Sequence, residues 1–182
     1  MYTSGMAIGM RVARGAVALV LALATAALAA SLAVGAEQAV RPVQKGRVEW
    51  VSDGDTITVR FGEGKEKIRL VGIDTPELDD ANPFWRTLAA EARDYAKARL
   101  LGRTVVLEPD SVTSDRDRYD RLLRYVVLDG QDFNEEMVRK GYARVYTRFR
   151  FERTTRYKAA EKEAREEKRG RWAARSAEPR ED

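Results

Sequence analysis

The chain has 182 residues, a formal net charge of +4 and an apolar fraction of 44%, so it is long enough for one domain with a buried core and two tails. It contains no histidine and no cysteine. This excludes a histidine general base, a Ser-His-Asp triad, a cysteine nucleophile, a disulfide and a zinc ion held by histidine or cysteine. Any hydrolysis by this chain must therefore use carboxylates, arginines and a metal ion held by oxygen ligands.

The first 36 residues have the pattern of a targeting segment. Arg11 and Arg14 precede an apolar run at 15–36, which ends in the small residues Val34-Gly35-Ala36, as in a cleaved signal peptide. We therefore expect residues 1–36 to direct export, so that the protein is secreted or periplasmic, and residues 37–44 to form a linker. Because the run is also long enough to cross a bilayer, a membrane anchor retained at 15–36 is the alternative.

The rest of the chain alternates between strand and helix patterns. Short β-branched or alternating segments between turn signals predict five strands, one from Lys45 and the others at 56–61, 66–73, 104–108 and 122–128. Apolar residues at helical spacing predict three helices, at 87–101, from 133 to near 141, and at 152–168. Five short strands with three packed helices indicate a mainly β, α+β fold, a five-stranded OB-fold barrel. We expect this domain at 45–172 and a disordered tail at 173–182.

Two carboxylates follow neighbouring predicted strands. Asp55 lies in the turn Asp53-Gly54-Asp55-Thr56, and Asp74 follows the third strand. Converging carboxylates repel each other unless a cation lies between them. The simpler interpretation is that Asp55 only satisfies the amides of its own turn, and the presence of Asp74 favours a metal site.

Two arginines and a further carboxylate stand close to these aspartates in the sequence. Glu77 follows Pro76, whose ring fixes the backbone just before it. Arg69 and Arg121 can each grip a phosphate through two parallel hydrogen bonds, which strengthen as phosphorus becomes five-coordinate. The alternative is that both arginines only solvate the surface.

Three ordered motifs resemble the staphylococcal nuclease (thermonuclease) family. They are Asp-Gly-Asp-Thr at 53–56, Arg-x4-Asp-Thr-Pro-Glu at 69–77 and Asp-x-Tyr-x-Arg at 117–121, and the resemblance covers about 45–172. It implies an OB-fold and calcium-dependent hydrolysis of DNA and RNA with low sequence specificity, leaving 3′-phosphates. The implied roles are Ca²⁺ binding by Asp55, Asp74 and the carbonyl of Thr75, water activation by Glu77, and phosphate stabilisation by Arg69 and Arg121. Asp53 corresponds to an outer carboxylate.

The expected substrate contacts are Arg118, Tyr119 and Tyr146. Arginines interleave with aromatic residues at 144–156, which suits a single strand whose bases stack, although a solvated loop would have the same composition. We therefore expect single-stranded DNA and RNA as partners, no protein partner, and a monomer. The chain departs from the family pattern in having Asp120 where a glycine is usual and Arg144 where the first of two tyrosines would stand.

Two other functions stay open at this point. The first is a catalytically weak OB-fold module that binds nucleic acid, which should have lost one of the five implied catalytic or metal-binding side chains, yet all five are present. The second is a membrane-anchored, calcium-binding surface protein, which would leave Arg69 and Arg121 without a role.

Overall fold

The computed structural model describes residues 41–173. Residues 1–40 and 174–182 lie outside this part, and they include the expected export segment, half of the expected linker and nearly all of the expected tail. Among the residues that are described, none of the helices is both long and apolar enough to cross a membrane.

Five strands close into a barrel, as the sequence predicts. They are β1 (Gln44–Val51), β2 (Thr56–Phe61), β3 (Gly64–Leu70), β5 (Thr104–Pro109) and β6 (Leu122–Leu128). The first three form an antiparallel meander, β5 pairs with β1, and β6 pairs with β5. A parallel pairing of β3 with β6, in which Ile68 lies opposite Leu122, closes the barrel.

Three short strands complete the β structure, β4 (Ile73–Asp74), β7 (Gln131–Asp132) and β8 (Arg144–Val145). The predicted third strand at 66–73 is therefore divided into β3 and β4. The break falls at Gly72, whose φ of 78° is left-handed and interrupts the extended backbone. β4 pairs with β8, and this register places Asp74 opposite Arg144.

Three helices pack on the barrel, α1 (Pro83–Leu100), α2 (Phe133–Arg139) and α3 (Thr154–Glu166). α1 begins four residues before the prediction because Asn82 caps it. The Asn82 side chain accepts a hydrogen bond from the Phe84 amide at 2.9 Å, and Pro83 occupies the first helical position, where its missing N–H costs nothing. A 3₁₀ turn follows α3 at Gly170–Trp172.

The apolar core fills the barrel and the space between the barrel and the helices. Its fully buried members come from the inward faces of the strands and from one face of each helix, among them Val48, Ile57, Ile68, Leu107, Ala96, Met137 and Tyr157. Trp172 is 8% exposed, so it folds back onto the domain as the sequence predicts.

A buried asparagine in α2 fixes the turn between β3 and β4. The side-chain nitrogen of Asn134 donates to the carbonyls of Val71 at 3.0 Å and Arg124 at 3.3 Å. Its side-chain oxygen accepts from the Val126 amide at 3.0 Å. Because Asn134 is fully buried, losing these bonds would leave polar groups unpaired in the core. This clamp therefore holds the backbone that carries Arg69 and Asp74.

Candidate active site

Asp55 lies at the start of β2, where its carboxylate is buried and hydrogen-bonded on both oxygens. Oδ2 accepts from the amide of Thr75 at 3.0 Å and from its hydroxyl at 3.1 Å. Oδ1 accepts from the Thr56 hydroxyl at 3.1 Å. The amide of Asp55 itself donates to Asp53 at 3.0 Å, so Asp53 shapes the turn that presents Asp55.

Arg69 brings the two predicted metal-binding carboxylates together. Its Nη2 lies 3.0 Å from Oδ2 of Asp55 and 3.5 Å from Oδ1 of Asp74. Its Nη1 donates to the carbonyls of Leu70 at 3.0 Å and Ile73 at 2.9 Å. The carboxylates thus converge on one cationic nitrogen, while the rest of the guanidinium braces the turn between β3 and β4.

Burial and neighbouring charges raise the pKa of two acids near Arg69. Burial raises the pKa of Asp55 to about 6, although Arg69 acts against this shift, and Asp53 adds to it. Partial burial also raises the pKa of Glu77, and the negative charges of Asp55 and Asp74 add to this shift. Glu77 therefore lies within the field of both aspartates.

The second oxygen of Asp74 is bound by Arg144, whose Nε and Nη2 lie 2.9 Å and 2.7 Å from Oδ2. The carbonyl of Asp74 also accepts a long hydrogen bond of 3.4 Å from Nη1 of Arg171. Sequence analysis noticed Arg144 as a departure from the family pattern and as part of the arginine-aromatic segment at 144–156, but it did not predict the contact with Asp74, and it did not find Arg171. The basic sequence Arg169-Gly170-Arg171-Trp172 was the one available signal.

Arg121 lies on the other side of the cluster and is oriented by Asp117. Its Nε and Nη2 both lie 2.7 Å from Oδ2 of Asp117, and its Nη1 is 3.3 Å from the Thr56 hydroxyl. Burial alone would raise the pKa of Asp117, but hydrogen bonds from the Arg121 side chain and from the Arg121 and Tyr119 amides lower it overall. Asp117 therefore positions Arg121, a role that sequence analysis did not assign to it although it is the first residue of the Asp-x-Tyr-x-Arg motif.

Asp120 adopts the left-handed conformation that its place in the turn requires, with a φ of 62°. Its carboxylate lies 3.6 Å from Nε of Arg116. Asp117, three residues before the usual glycine position, is the carboxylate that pairs with Arg121. A carboxylate beside Arg121 could compete with a phosphate for its guanidinium, and in this structure that carboxylate is Asp117, not Asp120.

The predicted substrate contacts lie on two sides of the cluster. Tyr119 is 62% exposed, and its ring centroid lies 4.6 Å from the guanidinium of Arg118 and 5.4 Å from that of Arg121. Tyr146 is held by its amide, which donates to the Gly72 carbonyl at 2.9 Å. Its ring lies 6.0 Å from that of Phe149. The structure therefore groups Tyr119 with both arginines and places Tyr146 beside the turn between β3 and β4.

The available donors fit a hard cation with few protein ligands. Within residues 41–173, no group of three or more Asp, Glu, His or Cys side chains surrounds one metal position. The side-chain donors are thus the two aspartates that already converge on a positive charge, Asp55 and Asp74. Because Ca²⁺ takes six to eight oxygen ligands, a backbone carbonyl, water and substrate oxygens would have to supply the others.

The closed five-stranded barrel is of the OB type. Carboxylates and arginines lie around the ends of β2, β3 and β4, where they form an anionic centre flanked by arginines. Residues 67–174 match the family model described as staphylococcal nuclease homologue. Together with the relatives below, this match shows that the chain belongs to that family.

Three relatives each align with about 70% of this chain and with a similar share of their own length. A thermonuclease of Staphylococcus hyicus is 36% identical over 124 residues, covering 68% of this chain and 72% of the relative. An uncharacterised endonuclease of Escherichia coli O157:H7 is 38% identical over 129 residues, covering 70% and 76%. An uncharacterised protein of Methanocaldococcus jannaschii is 32% identical over 147 residues, covering 70% of each chain.

Proposed function

We propose that this protein is a calcium-dependent nuclease that hydrolyses DNA and RNA with low sequence specificity and leaves 3′-phosphates. The nuclease class follows from membership of the family. The observation that carries the proposal is the convergence of Asp55 and Asp74 on a single cationic nitrogen, at 3.0 Å and 3.5 Å. Such an arrangement of carboxylates from neighbouring strands suits a divalent cation better than it suits a binding surface for a polyanion.

The reaction is an in-line displacement at phosphorus. A water oxygen forms a bond to phosphorus, the bond from phosphorus to the 5′ oxygen breaks, and that oxygen takes a proton from solvent. Glu77 accepts the proton from the attacking water, and its raised pKa makes it a stronger base than an ordinary glutamate. Asp55, Asp74 and the carbonyl of Thr75 would hold calcium, which would supply positive charge to stabilise the phosphate.

Arg121 is the main protein donor to the phosphate oxygens that gain charge. Its guanidinium is held from one edge by Asp117, which fixes its orientation before substrate arrives and so avoids reorganisation during the reaction. Nη1 of Arg69 is occupied by two backbone carbonyls. Its Nη2 contacts Asp55 and Asp74, and it would become available to the phosphate when a cation takes over those carboxylates.

We expect unpaired strands to be better substrates than duplex. Tyr119 is exposed beside Arg118 and Arg121, and such a pairing of aromatic and basic side chains binds separated bases and their backbone. A duplex offers its bases only through the grooves, where readout needs a fitted helix or ribbon.

The test is cleavage of denatured DNA, the same DNA as duplex, and RNA by the purified protein in calcium. We expect faster cleavage of denatured DNA and RNA, and products whose 3′ ends carry phosphate and accept no extension by a polymerase until a phosphatase is added. Strong preference for intact duplex, or directly extendable 3′ ends, would contradict the proposal.

We further propose that the protein is exported and that the mature nuclease comprises a domain at 45–172. The support is the arginine-flanked apolar run at 15–36, which lies outside the described residues. N-terminal sequencing of protein from the native host should find a start near Glu37. An intact Met1 in the membrane fraction would indicate an anchor instead, and an intact Met1 in the soluble cytoplasm would refute export.

A further inference from the structure

A cleft of about 320 Å³ lies next to Asp74. We call it the Trp85 cleft, and its lining includes the two indoles of Trp85 and Trp172 together with Arg144, Lys158, Glu161 and Arg171. The carboxylate of Glu161 is already engaged, since it accepts hydrogen bonds of 2.9 Å from the Val145 amide and from Arg165. The cleft is therefore aromatic and positively charged.

Arg171 carries a half-buried positive charge in this cleft, and no salt bridge to it is formed by the described residues. It is half-buried, yet within the described part of the chain its side chain makes one hydrogen bond, the 3.4 Å contact with the Asp74 carbonyl. Its guanidinium lies 5.3 Å from the Trp85 ring centroid and 5.4 Å from that of Trp172. A half-buried guanidinium usually has an anionic partner, so this one is arranged to receive an acceptor from outside the chain.

Backbone packing fixes Arg171 in this place. Its amide donates to the carbonyl of Gly141 at 2.9 Å, and the two glycines Gly141 and Gly170 allow the approach. A Cβ on Gly170 would lie 2.5 Å from the Gly141 oxygen, and a Cβ on Gly141 would lie 2.2 Å from the Arg169 oxygen. The 3₁₀ turn is thus locked against the end of α2, and Arg171 belongs to the rigid fold.

The Trp85 cleft forms one end of a continuous series of polar contacts across the active site. From the opposite end, this series passes through Arg121, Thr56, Asp55, Arg69, Asp74 and Arg144. Beyond Arg121 lies the exposed ring of Tyr119. Each side of the carboxylate centre therefore carries an arginine and an aromatic ring, which matches a strand that continues in both directions from the cleaved bond.

We propose that the Trp85 cleft binds the nucleotide adjacent to the cleaved bond on the side away from Tyr119. Arg171 and Arg144 hold its phosphate, and the indole of Trp85 stacks on its base. Guanidinium groups hold phosphate oxygens through paired hydrogen bonds, and aromatic side chains stack on unpaired bases regardless of sequence. This inference rests on the proposed nuclease function, and it predicts that the protein favours strands that extend into the cleft.

The test compares an oligothymidylate with a thymidine dinucleotide, whose single phosphodiester leaves no phosphate for the cleft. For the longer strand, we expect Arg171→Met and Trp85→Ala each to raise KM about tenfold, the effect of losing one phosphate contact or one stacked base. For the dinucleotide, kcat/KM should change much less in Arg171→Met, whereas Trp85→Ala should still lower it, because the dinucleotide keeps the base next to the cleaved bond. Arg103→Met is the matched control, because Arg103 is an exposed arginine paired with Asp129, and it should leave both substrates unaffected.

A binding measurement separates this inference from the proposed function. The affinity of the full chain for a labelled oligothymidylate is measured in chelator, where cleavage is not required, over a range of salt concentrations. Arg171→Met should weaken binding about tenfold and reduce the slope of log affinity against log salt by about 0.7, the loss of one phosphate contact. Arg103→Met should change neither the affinity nor the slope.

The outcomes are distinct. If the wild type cleaves neither substrate but Arg171→Met still weakens binding and lowers the salt slope, nucleotide binding in the Trp85 cleft is supported and the nuclease proposal fails. Equal losses of kcat/KM on both substrates in Arg171→Met would mean that Arg171 acts through Asp74, and would contradict nucleotide binding in the Trp85 cleft. Unchanged KM and unchanged binding in Arg171→Met and Trp85→Ala would also overturn it.

Discussion

Two buried aspartates of this protein each have four close polar contacts but have opposite pKa shifts. Asp110 accepts hydrogen bonds from the Tyr125 hydroxyl and from the amides of Val112, Thr113 and Glu152. Asp55 accepts hydrogen bonds from Thr56 and from two groups of Thr75, and it forms an ion pair with Arg69. The pKa of Asp110 is lowered, whereas that of Asp55 is raised to about 6.

The difference lies in the balance between burial and the groups around each carboxylate: burial is the largest cause of the raised pKa of Asp55. Burial raises the pKa of both groups, but for Asp110 the hydrogen bonds outweigh burial. Asp55 is next to Asp53, which adds to its upward shift, and it shares Arg69 with Asp74. The fold therefore satisfies the charge of Asp110 completely, while the charge around Asp55 still favours an added cation. This contrast predicts that changes at the two regions affect different properties.

The largest effects are expected in the proposed active site around Asp55. Glu77→Ala should lower kcat at least ~100-fold, the scale for losing a positioned base. The free energy of unfolding should hardly change, because Glu77 is exposed. Steady-state kinetics on denatured DNA and a thermal melt check both parts, with Asp79→Ala as the control for loss of an exposed carboxylate nearby. A near-normal kcat in folded Glu77→Ala would remove Glu77 from the reaction.

Arg121→Ala should also lower kcat by at least ~100-fold, since it removes a donor that acts on the developing charge. Asp117 is then left without its main partner, so a small loss of stability is expected too. The informative companion is Arg121→Lys, which keeps the charge and loses the paired geometry. If Lys restores full activity, the planar guanidinium is not needed and the assigned role is wrong.

Asp110→Asn tests the structural role of the buried carboxylate of Asp110. The amide would turn a donor toward N–H and O–H groups that need an acceptor, so we expect a loss of about 2–3 kcal/mol in the free energy of unfolding. The activity per folded molecule should be unchanged at low temperature. Urea unfolding provides the measurement. A loss of activity without a loss of stability would mean that Asp110 serves the reaction and not the fold.

The stability of the wild type should also depend on pH through Asp110. Because its folded pKa lies below the unfolded value of about 3.9, Asp110 stabilises the fold above that pH. This contribution is lost as the pH falls through the folded pKa. The free energy of unfolding of Asp110→Asn should therefore decline less steeply than that of the wild type below about pH 4. Parallel curves for the two proteins would contradict the lowered pKa.

The smallest effect is expected for Asp120→Gly. Glycine adopts the observed φ of 62° without a steric penalty, so stability should rise by at most about 1 kcal/mol. Because the Asp120 carboxylate pairs with Arg116, kcat should stay within about twofold, which is small against the ~100-fold scale of a catalytic donor. A large gain in kcat would show that Asp120 does hinder Arg121 during the reaction.

Much of the fold could be predicted because local signals agree with each other. The β-branched run at 56–61 and the apolar run at 122–128 coincide with β2 and β6. The division of the third strand at Gly72 was missed, since period-two alternation continues through the glycine and its left-handed φ depends on tertiary packing. The early start of α1 was missed because the Asn82 cap lies inside a polar, loop-like segment.

The proposed catalytic residues could be found because they belong to short motifs, whereas their supporting partners could not. The pairing of Asp117 with Arg121 is local, but several carboxylates of this segment were equally available in sequence. Arg171 reaches the carbonyl of Asp74 across 97 positions of the chain. Its placement depends on the contact between Gly141 and Gly170, which no local pattern indicates.

The most direct test of the account is a calcium titration of the cleavage rate on denatured DNA for the wild type and Asp55→Asn. Asp129→Asn serves as the control, because Asp129 is an exposed aspartate away from the site and paired with Arg103. We expect the cleavage rate of the wild type and of the control to rise with calcium and to saturate, and we expect little cleavage by Asp55→Asn at any calcium concentration. Full activity of the wild type in excess chelator, or an unchanged calcium response in Asp55→Asn, would contradict it.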